Sequence, residues 1–494
     1  MLVDERESLN LQFKIGSKFY MLKLQGMAAW SCEAFRIFLS LREFRFHRVF
    51  MSGLLLLAFA AVKRIAIIGG GLAGLGTAVS LLDSGACVVH VYDAEPTPGT
   101  GGASAVAAGL LHPFRPNGRE IWLGRNGFEA TSALVERCEK LIGARLSGRE
   151  GLLRLALDAD QAGELQLAVC ASAESHGPLE QTWWTREQVQ AAHAGTAALG
   201  GAFAPSALSL DTPAYLKALW KLCEAIGAET AGGEVRWRAK RLSSLAELHA
   251  AAAAAGEAPY DAVVVANGYG ATELTELRGL ASAKTLRPCR GQNLLLAQRP
   301  EAPDALRVPL ISGEYVVPVD GGRRLLAGAT HEYDPPERVN RPADETAACA
   351  LLLTGLVAMH APLATARIVG VQAGVRSLPP RSHLGYAPIA GRLPPLGAAA
   401  GPGAAHEADA TKSGATKSSK AATAAAPGVA RAATWLFGGL GSRGLIYHAL
   451  LGARVAEAVM ADDEGRLPEH MRRLDLRSAL GAAPAALFEG CMKR

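Results

Sequence analysis

The chain reads as an α/β protein, a Rossmann-like parallel sheet interleaved with an antiparallel sheet, and three observations predict it. Lys63 to Asp93 (KRIAIIGGGLAGLGTAVSLLDSGACVVHVYD) has the order strand, glycine turn, helix, strand. Far downstream, Asp261 to Ala266 (DAVVVA) is a short apolar run bounded by turn residues, and Leu445 to Met460 is an apolar helix opened by glycines. Between them, Leu294–Leu296, Tyr315–Val319 and Leu325–Ala329 read as strands separated by turns such as Asp320-Gly321-Gly322, the pattern of an antiparallel section.

Each part of the first stretch has a mechanical reason. Ile65 to Ile68 is continuously apolar, as a parallel strand covered on both faces must be. Gly69 permits the tight turn. Gly71 has no side chain to hold a pyrophosphate away from the backbone, and Gly74 lets the helix approach the strand. The helix that follows offers unpaired N–H groups and the positive end of its dipole to a phosphate, with Leu72 and Ala73 placed in the cofactor set. Val88 to Tyr92 forms the next strand. It ends on Asp93, about twenty residues past the glycines, which can accept from a ribose hydroxyl and disfavours a 2′-phosphate. The set points to dinucleotide binding rather than to a glycine-rich helix start that only packs well.

Composition narrows the class. With 494 residues, 49% hydrophobic and 20% charged, the chain can bury two or more packed regions. Its net charge of +5 is spread along the sequence and argues neither for nor against nucleic acid. The densest basic cluster, Arg236, Arg238, Lys240 and Arg241 around Trp237, alternates as a strand with one solvated face would, an RNA contact being the alternative. The eight cysteines are scattered, with no C-x-x-C and no Cys/His spacing suited to zinc, so no metal is expected and the thiols read as reduced.

The fold signal begins near Ala61, which leaves residues 1–60 as an N-terminal extension. From Met27 to Gly53, Arg36, Arg42, Arg45 and Arg48 alternate with Phe, Leu and Ile, with only Glu33 and Glu43 acidic. That resembles an organellar transit peptide, for chloroplast or mitochondrion, with Met27 as the true start or the import signal internal; without it the protein is cytoplasmic. A disordered or amphipathic extension is the alternative. Leu54–Val62 is apolar but far short of the roughly twenty residues that span a bilayer, so no transmembrane segment is expected. Gly397–Thr434 is built of Ala, Gly, Ser, Thr, Lys and Pro and reads as a disordered insertion. Pro213–Gly227 has helical periodicity, and Ala250–Ala255 is a helix end or a loop expansion.

Further segments carry a resemblance to the FAD-dependent oxidoreductases of the D-amino-acid oxidase and glycine oxidase type. They are GGASAVAAGLLHPF (Gly101–Phe114), YDAVVVANGYG (Tyr260–Gly270) and RPCRGQ (Arg287–Gln292). EYVVPVDGGRRLLAGATHEYD (Glu314–Asp334), GVRSLPPRSHLGYAPIAG (Gly374–Gly391) and WLFGGLGSRGL (Trp435–Leu445) complete the set. The resemblance covers about Lys63 to Met460, apart from the insertion. It implies a Rossmann-like FAD-binding domain over 61–155, 205–285 and 371–470, interleaved with an antiparallel-sheet substrate domain over 156–204 and 286–370. A tail follows over 471–494.

The resemblance also assigns residues. Ala103, Ser104, Ala108 and Gly109 match a loop that lies along the flavin and its phosphates. Ala266 and Gly268 match a turn close to FAD, and Val235 is placed in the same cofactor set. Gly439, Gly441, Ser442, Arg443 and Gly444 match the glycine-rich start of a helix aimed at the flavin pyrimidine edge, where the dipole stabilises negative charge. Arg376 matches an arginine that often holds the substrate carboxylate; a structural salt bridge is its alternative. Tyr315 and His112 would line the substrate pocket, or be a sheet aromatic and a loop histidine.

Departures are visible too. Arg376-Ser377 stands where the family has Arg-Pro, and His383 or Leu384 where it has Asp. The GLGSRGL string, with Arg290-Gly291-Gln292, is most similar to one branch, the C-terminal oxidoreductase domain of the bacterial bifunctional tRNA methylaminomethyl-thiouridine biosynthesis enzyme. The implied activity is oxidation of the C–N bond of an amine or amino acid, an N-substituted glycine, by hydride transfer to non-covalent FAD. The expected partners are that small substrate and O₂ as electron acceptor, with tRNA a further candidate. The rival expectation is a flavin-binding assembly protein of an organelle, without turnover.

Overall fold

The computed structural model describes residues 8–15, 18–25 and 62–472, less 86, 175–178, 194, 279, 281–284, 334–337 and 395–431. Residues 1–61 and 62–494 form separate compact units. In the first, Ser8–Ile15 and Lys18–Gln25 pair antiparallel, Ser8 opposite Gln25 and Ile15 opposite Lys18. Leu9-Asn10-Leu11-Gln12-Phe13-Lys14-Ile15 has the period of a strand. The transit-peptide stretch from Met27 lies outside the described residues.

In the second unit the described strands form two large sheets. One has six strands in the order Glu234–Ala239, Cys87–Asp93, Lys63–Ile68, Ala262–Val265, Ala433–Gly438, Ile389–Arg392. Its first five strands are parallel and the last antiparallel. The other has eight, in the order Ile368–Leu378, Arg287–Ala297, Arg324–Gly328, Glu314–Val319, Leu310–Ser312, Leu152–Ala156, Gly200–Ala204, Thr182–Thr185. Only Leu310–Ser312 with Leu152–Ala156 is a parallel pair there. The chain visits the six-stranded sheet, leaves, returns, leaves again and closes on it, so the two layers are interleaved. Leu152–Ala156 and Ile368–Leu378 lie in the larger sheet and cross the boundaries at 155/156 and 370/371 drawn from sequence.

Local chemistry sets the helices. Asp211 accepts from Ala214 N–H at 3.0 Å and Pro213 sits in the first turn, so Thr212–Glu229 starts where a capped helix should. Ser244 caps Leu245–Ala254, which absorbs most of the Ala250–Ala255 run as a helix end. Leu72–Asp83, Gly124–Ile142, Thr212–Glu229 and Gly444–Ala461 pack over one face of the six-stranded sheet in a core with Ile65, Val89 and Phe437. Leu248 and Ala252 pack with Val263 and Val265 in a second core. Glu345–Met359 buries Leu352 and Leu356 against Leu294, Val316 and Leu325 of the larger sheet.

Among the described residues, Gly444–Ala461 is long and apolar enough to cross a membrane, but its apolar faces are taken up by Leu72–Asp83 and Gly124–Ile142. Glycine makes the crossing close. A Cβ on Gly76 would lie 2.4 Å from the His448 carbonyl oxygen, and one on Gly452 would lie 2.8 Å from the Gly76 carbonyl carbon.

Two sequence boundaries move. Ala433 and Thr434 begin the strand Ala433–Gly438 opposite Ala262 and Val263, so the insertion ends before them; residues 397–431 of it lie outside the described residues. Met471 is fully buried in the main core, so the tail begins after it.

Candidate active site

Residues from both sheets line one cavity of about 740 Å³, the size of a pocket for a substantial organic ligand. At one end is the glycine turn. Gly69 has φ +108°, and a Cβ there would sit 2.5 Å from Asn267 Cα. Gly71 and Ala73 line the wall beside Leu72, whose N–H donates to Ser104 Oγ at 3.2 Å. The Ser104 hydroxyl therefore caps the helix and keeps its own proton for an acceptor in the cavity. Asp93 Oδ2 accepts from Gly70 N–H at 2.6 Å and Oδ1 from Glu95 N–H at 2.9 Å, which fixes the carboxylate at the cavity wall.

Ala103, Ala108, Gly109, Ala266 and Gly268 line the same cavity. Asn267 Oδ1, between the last two, is buried with no partner. A cradle that side chains would fill, a free serine proton, a fixed acid and an orphaned acceptor fit a bound dinucleotide.

Two residues expected in the cofactor set do not line the cavity. Gly74 acts in packing, as its motif position implies: a Cβ there would lie 1.8 Å from the Gly69 carbonyl oxygen. Val235 lies in the strand Glu234–Ala239 and packs on Gly227, whose Cβ would meet Val235 Cγ1 at 3.3 Å. Strand parity turns Val235 toward the helix. Lys240, Arg241 and Leu242, just past that strand, reach the cavity instead.

The N-terminus of Gly444–Ala461 closes another wall. Gly439 and Gly441 have φ of +70° and +55°, and Ser442, Arg443 and Gly444 follow them along the lining. Arg443 Nη1 donates to the Phe114 carbonyl at 3.0 Å. Next to it, His112 Nδ1 accepts from Phe114 N–H at 3.2 Å, and its ring stacks on Phe114. Burial, with Arg154 and Arg443 adding positive charge nearby, holds the imidazole well below its usual range, so it is neutral with its proton on Nε2.

The floor is the cavity face of the eight-stranded sheet. Tyr315 Oη donates to Asn293 Oδ1 at 2.7 Å, and Asn293 Nδ2 donates to the Val106 carbonyl at 2.7 Å. Burial pushes the phenol up to about 12, so it stays protonated. Arg376 Nη1 donates to the Thr330 carbonyl at 3.3 Å. Its guanidinium lies over Gly291, where a Cβ would be 2.5 Å from Nη2. Among the described residues no carboxylate pairs with Arg376, so the salt-bridge alternative finds no partner there. His331 also lines the cavity, lowered by burial and by Arg376. His383 and Leu384 do not line it; His383 packs edge-on against His470 at 5.3 Å.

Arg376, Tyr315 and His112 thus converge with the cofactor set on one cavity. Sequence reasoning gave no site role to Arg154, Asn267, Asn293, His331 or Ser377, all of which line the cavity. The one available signal was Arg154, a lone arginine in the apolar run Leu152-Leu153-Arg154-Leu155-Ala156. Among the described residues no cluster of three or more His, Cys, Asp or Glu side chains could hold a metal ion.

The profile of the family described as "FAD dependent oxidoreductase" matches residues 64–458. The chain is 33% identical over 301 residues to the "tRNA 5-methylaminomethyl-2-thiouridine biosynthesis bifunctional protein MnmC" of Thiobacillus denitrificans. That match spans 58% of this chain and 44% of the relative, less than half its length. Among solved structures, glycine oxidase from Geobacillus kaustophilus superposes with a TM-score of 0.58 at 18% identity, over 82% of this chain and 96% of that one. Iminodiacetate oxidase from Chelativorans sp. BNC1 gives 0.58 at 19% identity, over 83% and 98%. At such identities the two structures speak to the fold.

Proposed function

Since the chain belongs to the FAD dependent oxidoreductase family, we propose that it oxidises the carbon–nitrogen bond of an N-substituted glycine or a closely related amino acid. The observation that carries this reading is Arg376, a guanidinium with no carboxylate partner among the described residues, held over Gly291 beside Tyr315. FAD, when bound without a covalent link, supplies a two-electron acceptor, with O₂ as the proposed final oxidant. Gly69, Gly71, Leu72, Ala73, Asp93 and Ser104 would hold its nucleotide half, and the Gly439–Gly444 turn its flavin half.

The chain's own groups position the substrate. Arg376 pairs with the carboxylate through its planar fork. Tyr315, fixed by Asn293, narrows the place of the amine. Neutral His112 and His331 leave the carboxylate to Arg376. The positive field of Arg376 and Arg443 disfavours a substrate ammonium, so the amine is held as the free base, the form that can release hydride from the neighbouring carbon. The Thiobacillus relative is named for tRNA 5-methylaminomethyl-2-thiouridine biosynthesis, and C–N oxidation of a carboxymethylaminomethyl group would leave an aminomethyl group, so carboxymethylaminomethyl-uridine in tRNA is a candidate within this substrate class.

The test is to purify the full chain, record its absorbance, and mix it anaerobically with glycine, sarcosine, D-amino acids and tRNA carrying that uridine. The expected result is a yellow protein, bleached by at least one N-substituted glycine, whose flavin is released by denaturation. A colourless protein that cannot be reconstituted would remove the cofactor; a yellow one bleached by none would remove the amine substrate.

A further inference from the structure

Arg154 is only 6% exposed and lines the cavity, yet among the described residues no carboxylate pairs with its guanidinium and no acceptor takes a hydrogen bond from it. Its charged neighbours are of like sign or neutral: Arg443 on the helix start, and His112. A buried guanidinium left this way is costly, and natural folds offset such a charge with a partner. Strand register shows where it points. Arg154 is opposite Ile311, Ile311 opposite Tyr315, Tyr315 opposite Gly328, and Gly328 opposite Asn293. Residues paired across strands share a face, so Arg154, Ile311, Tyr315 and Asn293 form one row on the cavity floor. Arg154 stands two strands from Tyr315, about 10 Å at the backbone. Arg376 lies on Tyr315's other side, two strands beyond Arg324–Gly328.

We propose that Arg154, reinforced by Arg443, is a second anion-binding subsite, so that the substrate amine carries two acidic groups: one carboxylate on Arg376, and a second carboxylate or phosphate on Arg154. This rests on the reading of Arg376 as the carboxylate anchor. It narrows the substrate class to doubly anionic amines and sets the amine between the two cations, above Tyr315.

The FAD-loaded full chain is titrated with inert acids, and binding is read from the flavin absorption. One-acid ligands are alkyl monocarboxylates; two-acid ligands are α,ω-dicarboxylates and ω-phosphonocarboxylates of matched, increasing length. At least one two-acid ligand is expected to bind about tenfold or more tighter than its one-acid counterpart, as one added charged hydrogen bond would give. The dicarboxylate and phosphonate arms tell which acid the subsite takes. Arg154→Gln should erase the gain and leave one-acid affinity and flavin content within about twofold. No gain for any two-acid ligand in the unaltered protein overturns the proposal, and that comparison needs no variant to fold. Equal weakening of both ligand kinds in Arg154→Gln, or loss of flavin, also overturns it. Failure of the Arg376 reading looks different, because the one-acid ligands themselves would then not bind.

Discussion

At Arg376 a planar fork lies over a glycine that leaves it room, with Tyr315 and the Thr330 carbonyl beside it. Lysine keeps the charge but loses the fork. A charged hydrogen bond contributes about 1.5–3 kcal/mol, so Arg376→Lys should weaken carboxylate substrates by at least about tenfold and leave flavin content unchanged. Titration of the flavin band with a one-acid ligand measures it, and unchanged affinity would refute the anchor. Arg376 was legible because it sits in a recognisable string. Arg154 was not: an arginine among leucines signals a special environment, but only the register with Ile311 and Tyr315 says what it faces. Val235 failed for the same reason, since strand parity cannot be read without knowing which face the cofactor takes.

Among elements, the first turn was legible in full, since every one of its glycines answers to a close approach. Gly74 is the most demanding: a methyl there would overlap the Gly69 carbonyl oxygen at 1.8 Å. Gly74→Ala must push Leu72–Asp83 away from Lys63–Ile68. Overpacking of this kind costs about 1–3 kcal/mol, and it also draws the helix N-terminus away from the phosphate position. Lower thermal stability and weaker FAD retention are expected together; a loss of stability with unchanged retention would separate the turn from the cofactor. The strand Arg287–Ala297 shows the opposite case, since only Leu294–Leu296 was visible in sequence. Arg290 and Gln292 are fully buried on the same face as Leu294, and Arg290 pairs with Glu332 at 2.7 Å. A buried ion pair inside a strand breaks the apolar pattern that would have announced it.

At the scale of the whole molecule, interleaving was legible because parallel and antiparallel signals alternate along the chain, whereas the sheet crossings near 155 and 370 follow from pairing and not from composition. The closed core has a consequence for pH. His448 is fully buried, its Nδ1 donating to the Leu445 carbonyl at 3.1 Å and its Nε2 facing the Tyr215 hydroxyl at 2.9 Å. Burial lowers it to about 4, and His193 likewise, with His360 adding like charge beside the latter. Unfolded, each titrates near its ordinary value of about 6.5. Between about 4 and 6.5 the unfolded chain therefore binds protons that the folded chain refuses, and stability must fall as pH falls through that window. For the fully enclosed His448 the loss across that window is on the order of 3 kcal/mol. The midpoint of thermal unfolding should be level from pH 8 to 7, drop steadily toward pH 4.5, and drop less steeply in His448→Gln. A midpoint that rose on acidification would mean these imidazoles are protonated in the fold, and with that the closed packing around Gly76 and Gly452 could not stand.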